Sequence, residues 1–448
     1  MSVAQLRARI ITRGNGGRYD LFFTGGLVLA VAGLGLFAYA LTSGHADRAW
    51  HLFQVNWLFF TGITGGSLAL TAVHKLANAK WSGVIIRFAG ATVLFAVISL
   101  LGLVAIMTVG YQPIYGPMTE QLHALSPGKA IWLSHSFMFA RLAIGLGLLF
   151  WTGWLLIRAD MVPDMHMALG SVGGDRAVRY QAMTRGFDGS EASRSAQHAR
   201  INRLAAIYVV LFAFVFTMVA FDGIMALQPH WFSNLLGGWY FMGSFLGGHT
   251  FLALTMLYGR NHLGIADLVS PKQRHDLGKL CFGFTVFWTY LMWSQFLVIW
   301  YGNMPEEIGF VFARLWGPWM PVGRAVFVGM FLLPFLGLLF VAAKKTPLTL
   351  AVFAFASFGS LWLERYLLVV PSVTKEAGPV FGLPEVGPTL AFLGLFLFCY
   401  AAFARRFPMI SPRLAEITIG IEQLRGHGES SEHDEKSGDF AHPKELPA

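Results

Sequence analysis

The side chains in this sequence that could carry chemistry are ionisable residues placed inside long apolar segments. Asp222 stands near the end of one such segment, and Glu364 and Arg365 lie in another. A charge at the centre of a bilayer costs at least about 2.5–3.5 kcal/mol, so such residues usually face a protein interior and mark proton or substrate pathways. A satisfied structural acid is the alternative for both carboxylates. Asp222 is the first candidate for proton or substrate chemistry.

Other polar residues in apolar segments could extend a polar line from these acids. A histidine can exchange protons near neutral pH; His51 and His135 taken alone favour a structural role, and His249 is the stronger candidate for its depth. Arg141 is interpreted as a counter-ion of a buried acid rather than as a catalyst. The further candidates are His51, His135, Arg141, His249 and Gln295.

The composition identifies the scaffold that must position these residues. Of 448 residues, 55% are hydrophobic and 13% are charged, against roughly 25% charged in soluble domains. The net charge of +9 comes from basic residues in short stretches between apolar segments, which is typical of membrane-protein loops and argues against nucleic-acid binding. The composition predicts an all-α polytopic membrane protein.

About ten apolar segments are long enough to cross a membrane as helices. Most of the 33 Lys and Arg residues fall in the N-terminal arm, in alternate loops and in the C-terminal tail, which places both termini in the cytoplasm by the positive-inside rule. The predicted segments are 21–42, 50–74, 84–110, 131–157, 204–228, 235–258, 279–301, 325–343, 347–370 and 388–404.

This topology assigns depths at about 1.5 Å per helical residue. The two acids and two of the histidines fall in the outer half of the membrane, whereas Arg141 and His249 fall near its middle. Glu364 and Arg365 are adjacent and point to different sides of a helix, so we expect each to pair with another helix rather than with its neighbour. Small residues at 62–66 and 243–248 are interpreted as helix-packing positions.

Polar stretches divide the chain. The first, 159–202, is too polar to span lipid, and we interpret it as a boundary between helices 1–4 and helices 5–10. The tail, 406–448, has a Gly-, Ser- and Glu-containing composition that predicts disorder. An N-terminal arm, 1–20, precedes the first segment, and no cleavable signal is evident.

Few residues could hold a redox cofactor. Cys281 and Cys399 lie in separate apolar segments, so neither a disulfide framework nor a CxxCH haem attachment is available. His51 and His74 share one segment but lie about 35 Å apart on a helix, which argues against two intrinsic haems and leaves a single haem between two helices open. No HxxH or HExxH motif occurs. We expect no cofactor to be bound by this chain alone.

Several motifs resemble a known family. The sequence reads DGIMALQPHWFS from Asp222, WYGNMPEE from Trp300 and LERYLLVVPS from Leu363. Over about 21–405 these motifs resemble the NrfD-like family, the membrane subunits of polysulfide reductase and related complexes. Within it the chain is most similar to the smaller of two such subunits in bacterial alternative complex III, a quinol:electron-acceptor oxidoreductase.

The resemblance implies two four-helix bundles, helices 2–5 and 6–9, flanked by helices 1 and 10. It also implies a bacterial inner membrane and partners that hold the redox centres: a second NrfD-like subunit, an iron–sulfur subunit and c-type haem subunits. This chain would be a non-catalytic or quinone-interacting subunit in contact with lipid and quinone. Its proton route or quinone site would comprise Asp222, Glu364, His51, His135, Arg141, His249, Arg365 and Gln295.

Two other classes fit the same residues. About ten helices with buried acids and histidines also suit a proton-coupled secondary transporter, and a structural membrane anchor of a redox complex needs no chemistry. A transporter should purify alone, whereas a complex subunit should bring haem- and iron–sulfur-containing partners. Normal turnover of an Asp222→Asn variant would favour the anchor.

Overall fold

The computed structural model describes residues 3–16, 19–374 and 376–420, and in these parts the chain is helical without strands. A π-helical turn, Val328–Leu332, joins two of the helices into one segment. The helices are α1 Val3–Gly16, α2 Asp20–Thr42, α3 Ala46–Leu76, α4 Ile86–Gly90, α5 Phe95–Thr108, α6 Tyr111–Thr119, α7 Pro127–Trp132, α8 His135–Ala168, α9 Gly174–Met183, α10 Glu191–Gly223, α11 Leu235–His262, α12 Pro271–Gly302, α13 Pro305–Leu315, α14 Met320–Phe327, α15 Leu333–Leu339, α16 Val341–Lys345, α17 Pro347–Val373 and α18 Leu383–Arg406.

Helical segments occupy all of the predicted membrane segments. Eight of them, within the described residues, are long and apolar enough to cross a membrane. The two others, α3 and α11, are buried along most of their length. A helix surrounded by other helices meets protein rather than lipid, so its composition can be more polar. The chain is an all-α polytopic membrane protein, as predicted.

The helices pack in two groups and a flanking pair. α3, α5, α8 and α10 pack together, and α11, α12, α15 and α17 form the second group. α2 packs along α18, and this pair lies against α3. This grouping is the one that the resemblance implies. The interpretation of 159–202 as a boundary between groups is wrong, because α10 follows that stretch and packs against α8 and α3 of the first group.

The two groups meet where α3 packs against α11, and glycines allow this contact. A Cβ atom at Gly66 would lie 1.9 Å from the carbonyl oxygen of Ser244, and one at Gly248 would lie 2.7 Å from the carbonyl carbon of Gly66. Any side chain at either position would separate the two backbones. The packing role predicted for these small residues is confirmed, and it fixes α3 against the helix that carries Ser244.

The polar stretch between α8 and α10 is shorter than predicted. α8 continues to Ala168, α9 occupies part of the remainder, and α10 begins at Glu191. Asp160 and Asp164 are buried in α8 and pair with Arg87 at 2.8 and 2.6 Å. Paired charges can lie inside a helical bundle, which is why composition alone placed them in a loop.

Part of the C-terminal tail is folded. The amide of Met409 donates to the carbonyl of Gly14 at 3.0 Å, and Ser411 Oγ donates to Asp164 Oδ1 at 2.8 Å. Residues 412–420 are helical. The prediction of disorder is therefore wrong for 407–420, while residues 421–448 lie outside the described part of the chain.

The described parts of both termini lie on one face, which we call the terminal face and which comprises α1, α9 and residues 407–420. Arg7 pairs with Glu416 at 2.6 Å there, and Arg9 pairs with Asp267 at 2.7 Å. The hydrogen bonds from Arg9 hold the pKa of Asp267 below its usual value. The opposite face, which comprises α6, α7 and α13, is called the distal face.

Candidate functional site

The second helix group encloses a cavity of about 530 Å³, a volume typical of small-molecule sites. Its walls come from α11, α12, α13, α14 and α17, and they are almost entirely apolar. Trp293 and Phe327 lie on its rim and are exposed on the outside of the bundle, so the cavity opens toward the surface that lipid covers. Its aromatic lining consists of Trp239, Trp288, Trp293, Phe296, Phe310 and Phe327.

Glu364 is the acid in the wall of this cavity. It lies on α17 and is 1% exposed, and Trp288 Nε1 of α12 donates to its Oε1 at 3.2 Å. Its other oxygen, Oε2, lies 2.6 Å from Arg365 Nη1. That contact is close but poorly aligned, so neither atom completes a hydrogen bond there. The carboxylate therefore retains unused acceptor capacity beside a cavity.

Glu364 and Arg365 were each expected to pair with another helix rather than with each other; each does form hydrogen bonds to another helix, but the contact between the two corrects the second half of this expectation. Adjacent residues diverge on a helix, but an arginine side chain is long enough to return to its neighbour. Arg365 Nη2 also contacts the Tyr240 carbonyl at 3.3 Å and Ser244 Oγ at 3.5 Å, and its guanidinium lies 4.2 Å from the centre of the Tyr240 ring. It thus bridges α17 and α11.

A glycine makes room for this arrangement. A Cβ atom at Gly243 would lie 3.1 Å from Arg365 Nη2 and 3.4 Å from Trp288. Gly243 is therefore adjacent to both groups that contact Glu364. Gly243 is a packing position, as predicted, and it makes room for the charged side chain of Arg365.

Arg314 is a second cation in the cavity wall, and it is not among the candidates from the sequence. It is 4% exposed and donates to the carbonyls of Phe310 and Leu368 at 2.8 and 2.7 Å, and to Ser372 Oγ. It has no carboxylate partner among the described residues. Leu368, whose carbonyl binds Arg314, lies one turn after Glu364 on α17. The Arg314 guanidinium therefore lies about one helical turn from Glu364 along the cavity wall. Its position in the apolar segment of α13 was the available signal.

Gln295 lies on α12 and also lines the cavity. Its Oε1 atom is buried without a hydrogen-bond partner. A buried amide oxygen with no partner costs free energy, and a ligand with a donor group would relieve that cost. Of the candidates from the sequence, the cavity brings together Gln295 and Glu364, with Arg365 behind the acid.

Asp222 lies elsewhere, at the end of α10 in the first helix group. It is fully buried, and Arg141 of α8 binds it through two nitrogens, Nε to Oδ2 at 2.7 Å and Nη2 to Oδ1. Arg141 also donates to the Trp132 carbonyl at 2.7 Å and lies over the Trp132 ring. α8 begins at His135, so Arg141 is about 9 Å from the start of its helix, closer to that end than the predicted segment 131–157 implied.

The neighbours of Asp222 are polar, and two of their atoms, Gln54 Oε1 and the Tyr111 hydroxyl oxygen, are buried without a hydrogen-bond partner. Tyr115 donates to the Asp222 carbonyl at 3.0 Å, and Gln54 Nε2 donates to the Gly223 carbonyl at 3.0 Å. His135 contacts the ring of Tyr111, with ring centres 4.2 Å apart, and Tyr111 lies beside Tyr115. His135 is thus two aromatic rings away from Asp222.

The other two histidines join neither site. His51 Nε2 lies 3.2 Å from the Pro113 carbonyl oxygen near the distal end of α3. His249 Nδ1 lies 2.9 Å from the Phe245 carbonyl oxygen within α11. In the described residues no hydrogen bond or ion pair links His249 to either acid, nor Asp222 to Glu364.

A third polar cluster, absent from the sequence analysis, lies at the terminal face. Asp160 contacts Lys75 at 2.6 Å, Arg87 at 2.8 Å and Arg413 at 3.4 Å. Asp164 contacts Arg87 at 2.6 Å. The spacing of the two acids, four residues apart on one helix face, was the signal that could have found them. The cluster joins α3, α4, α8 and the tail.

No group of three or more potential metal ligands occurs among the described residues. The chain matches no protein-family model, and no curated protein shows significant similarity to it.

Proposed function

We propose that the chain is the membrane subunit of a quinol:electron-acceptor oxidoreductase of the NrfD-like type and that it binds the quinol in the 530 Å³ cavity. The observation that carries the proposal is the placement of Glu364 in the wall of this cavity. A quinol has an apolar tail and a ring with two hydroxyl groups. The apolar walls, which open toward lipid, suit the tail, and Glu364 and Gln295 suit the hydroxyl groups.

The oxidation of one quinol yields one quinone, two protons and two electrons. In this proposal Glu364 accepts the protons in turn from the ring hydroxyls and passes each one on before it accepts the next. Trp288 positions the carboxylate, and Arg365 stabilises its charged form. The electrons go to iron–sulfur and c-type haem centres of partner subunits, with a second NrfD-like subunit as a further partner.

The proton route is revised by the geometry of the two acids. Asp222 is bound on both oxygens by Arg141, so we assign it to holding α8 against α10 rather than to proton transfer. The route would start at Glu364 instead. His249, buried on α11, is the remaining titratable candidate between this acid and the terminal face, which we propose to be cytoplasmic.

The test is quinol turnover of the complex purified with this chain, with a soluble c-type cytochrome as electron acceptor. Glu364→Gln keeps the shape of the side chain and removes the base, so we expect turnover to fall about 100-fold, in the range of general base catalysis. Glu385→Gln is the matched control, because Glu385 is also buried and pairs with an arginine, Arg48, at 2.7 Å, outside the cavity. We expect that variant to retain turnover within about twofold.

Three results would contradict the proposal. Equal losses in both variants would mean that removing any buried acid perturbs the fold. Normal turnover of Glu364→Gln would exclude it as the base. Purification of the chain alone, without haem or iron–sulfur partners, would favour the secondary transporter.

A further inference from the structure

A second cavity, of about 470 Å³, lies at the terminal face between the end of α8 and the start of α10. It shares no lining residue with the quinol cavity. Gln197 of α10 donates to the Ala159 carbonyl of α8 at 2.6 Å and fixes the two helices at its base. Part of the lining is apolar, from Leu155, Val162 and Phe187.

Three arginines line this cavity, one from each part of the chain that encloses it. Arg158 lies on α8, Arg185 in the turn after α9, and Arg200 on α10. All three are exposed, and in the described part of the chain none of their side chains has a hydrogen bond, an ion pair or a ring contact.

Some of the other arginines on the same face are bound. Arg7, Arg9, Arg87 and Arg413 all pair with carboxylates. Three of the unpaired arginines on this face converge on one concave site. The single acid in the lining, Asp188, accepts a hydrogen bond from the Ser190 amide at 2.9 Å. The site therefore has a net charge of about +2, since arginine stays protonated and Asp188 is ionised.

Two stripes of exposed apolar side chains run from this cavity into the membrane region. On α8, Leu155 is followed at helical spacing by Trp151, Leu148 and Ile144. On α10, Arg200 is followed by Ile207, Val210 and Phe214. The six apolar residues beyond the cavity are between 45% and 69% exposed. Because α8 packs against α10, the stripes lie side by side and form a surface for hydrocarbon chains.

We propose that this cavity is a binding site for an anionic phospholipid. The phosphate is held by Arg158, Arg185 and Arg200, and the acyl chains lie along the stripes of α8 and α10. Guanidinium groups bind phosphate oxygens in a paired geometry, and basic sites between membrane helices suit anionic headgroups. A free phosphate ion would use the arginines but not the stripes, so the two ligands are distinguishable.

The test is native mass spectrometry of the full-length protein, with its partners where they co-purify, after incubation with dioleoylphosphatidylglycerol or with dioleoylphosphatidylcholine. The two lipids share acyl chains and differ in headgroup charge. We expect the wild-type protein to retain at least fivefold more of the anionic lipid. We expect R158Q/R185Q/R200Q to lose this preference. The matched control, R194Q/K272Q/K345Q, removes three other exposed cations, and we expect it to stay within twofold of wild type.

The other outcomes overturn the proposal. Equal loss in the control triple variant would show that only overall charge matters. Displacement of the lipid by inorganic phosphate, beyond that caused by chloride at equal ionic strength, would indicate a free-anion site. The single variant R185Q is included in case the triple variant does not fold. It should fold normally, because Arg185 lies in an exposed turn. If that folded variant retained the lipid fully, Arg185 would be excluded as a phosphate ligand and the three-arginine site would be wrong.

Discussion

Two buried acid–arginine pairs, one in each helix group, differ in how completely their hydrogen bonds are made. In the first group, each oxygen of Asp222 receives a nitrogen of Arg141, and the same guanidinium also binds a backbone carbonyl. In the second group, Glu364 receives one hydrogen bond from Trp288, and its contact with Arg365 is misaligned. The acid of the second pair stands in the wall of the 530 Å³ cavity.

The difference teaches which of two buried acids is available for chemistry. A carboxylate bound on both oxygens by one guanidinium has less acceptor capacity left for a substrate, whereas one that receives a single aligned hydrogen bond beside a cavity can accept a proton from a ligand. Membrane depth and residue type made Asp222 the first candidate in the sequence, but neither shows whether a carboxylate is available to accept a proton. The hydrogen bonds that the carboxylate receives in the folded chain do show this.

The largest expected effect is on the stability of the first pair. Asp222→Ala leaves Arg141 buried without its partner, and breaking a buried pair in this way costs about 3–5 kcal/mol. The double variant Asp222→Leu with Arg141→Met should recover most of that loss. The unfolding temperature of the single and double variants is measured by heating the protein with a thiol-reactive dye. The dye labels the two buried cysteines, Cys281 and Cys399, when the protein unfolds.

Glu364→Ala supplies the comparison for that experiment. Glu364 receives one aligned hydrogen bond, from Trp288, whereas Asp222 receives two from Arg141, so the unfolding temperature of Glu364→Ala should fall less than that of Asp222→Ala. A larger fall for Glu364→Ala would mean that the second pair, and not the first, holds the fold together.

A smaller effect is expected from Trp288→Phe, which removes the only aligned hydrogen bond that Glu364 receives within the described residues. A hydrogen bond to a charged group contributes about 1.5–3 kcal/mol, part of which water or Arg365 can replace. We expect quinol turnover to fall about fivefold, with a higher quinol concentration needed for half-maximal rate because Trp288 also lines the cavity. Trp239→Phe is the control, since Trp239 lines the cavity without a hydrogen bond to Glu364. Equal losses in both would assign the effect to packing.

The sequence was sufficient for the fold class, because long apolar segments and the distribution of basic residues are local properties. It was also sufficient for the presence of long helices at α3 and α11. Pairing was not predictable, since Arg141 and Asp222 are 81 positions apart and only the packing of α8 on α10 brings them together.

Two local rules failed for physical reasons. The divergence of adjacent side chains on a helix did not separate Glu364 from Arg365, because the rule describes Cβ directions and not the reach of a long side chain. Polar composition assigned Asp160 and Asp164 to a loop, because a list of charges does not show which of them are neutralised by Arg87 in the folded chain.

The smallest expected effect tests whether the geometry of the second pair, rather than its mere presence, matters for turnover. Gly243→Ala adds a Cβ atom 3.1 Å from Arg365 Nη2 and 3.4 Å from Trp288, which displaces both contacts of Glu364 by a few tenths of an ångström. Alanine also favours the helix by up to about 1 kcal/mol, so stability should hardly change while turnover falls about twofold to threefold. Gly359→Ala is the control, because a Cβ atom there, on the helix that carries Glu364, meets nothing within 4 Å. If both variants kept full turnover, the misaligned contact between Glu364 and Arg365 would not set the rate, and the distinction between the two pairs would rest on the cavity alone.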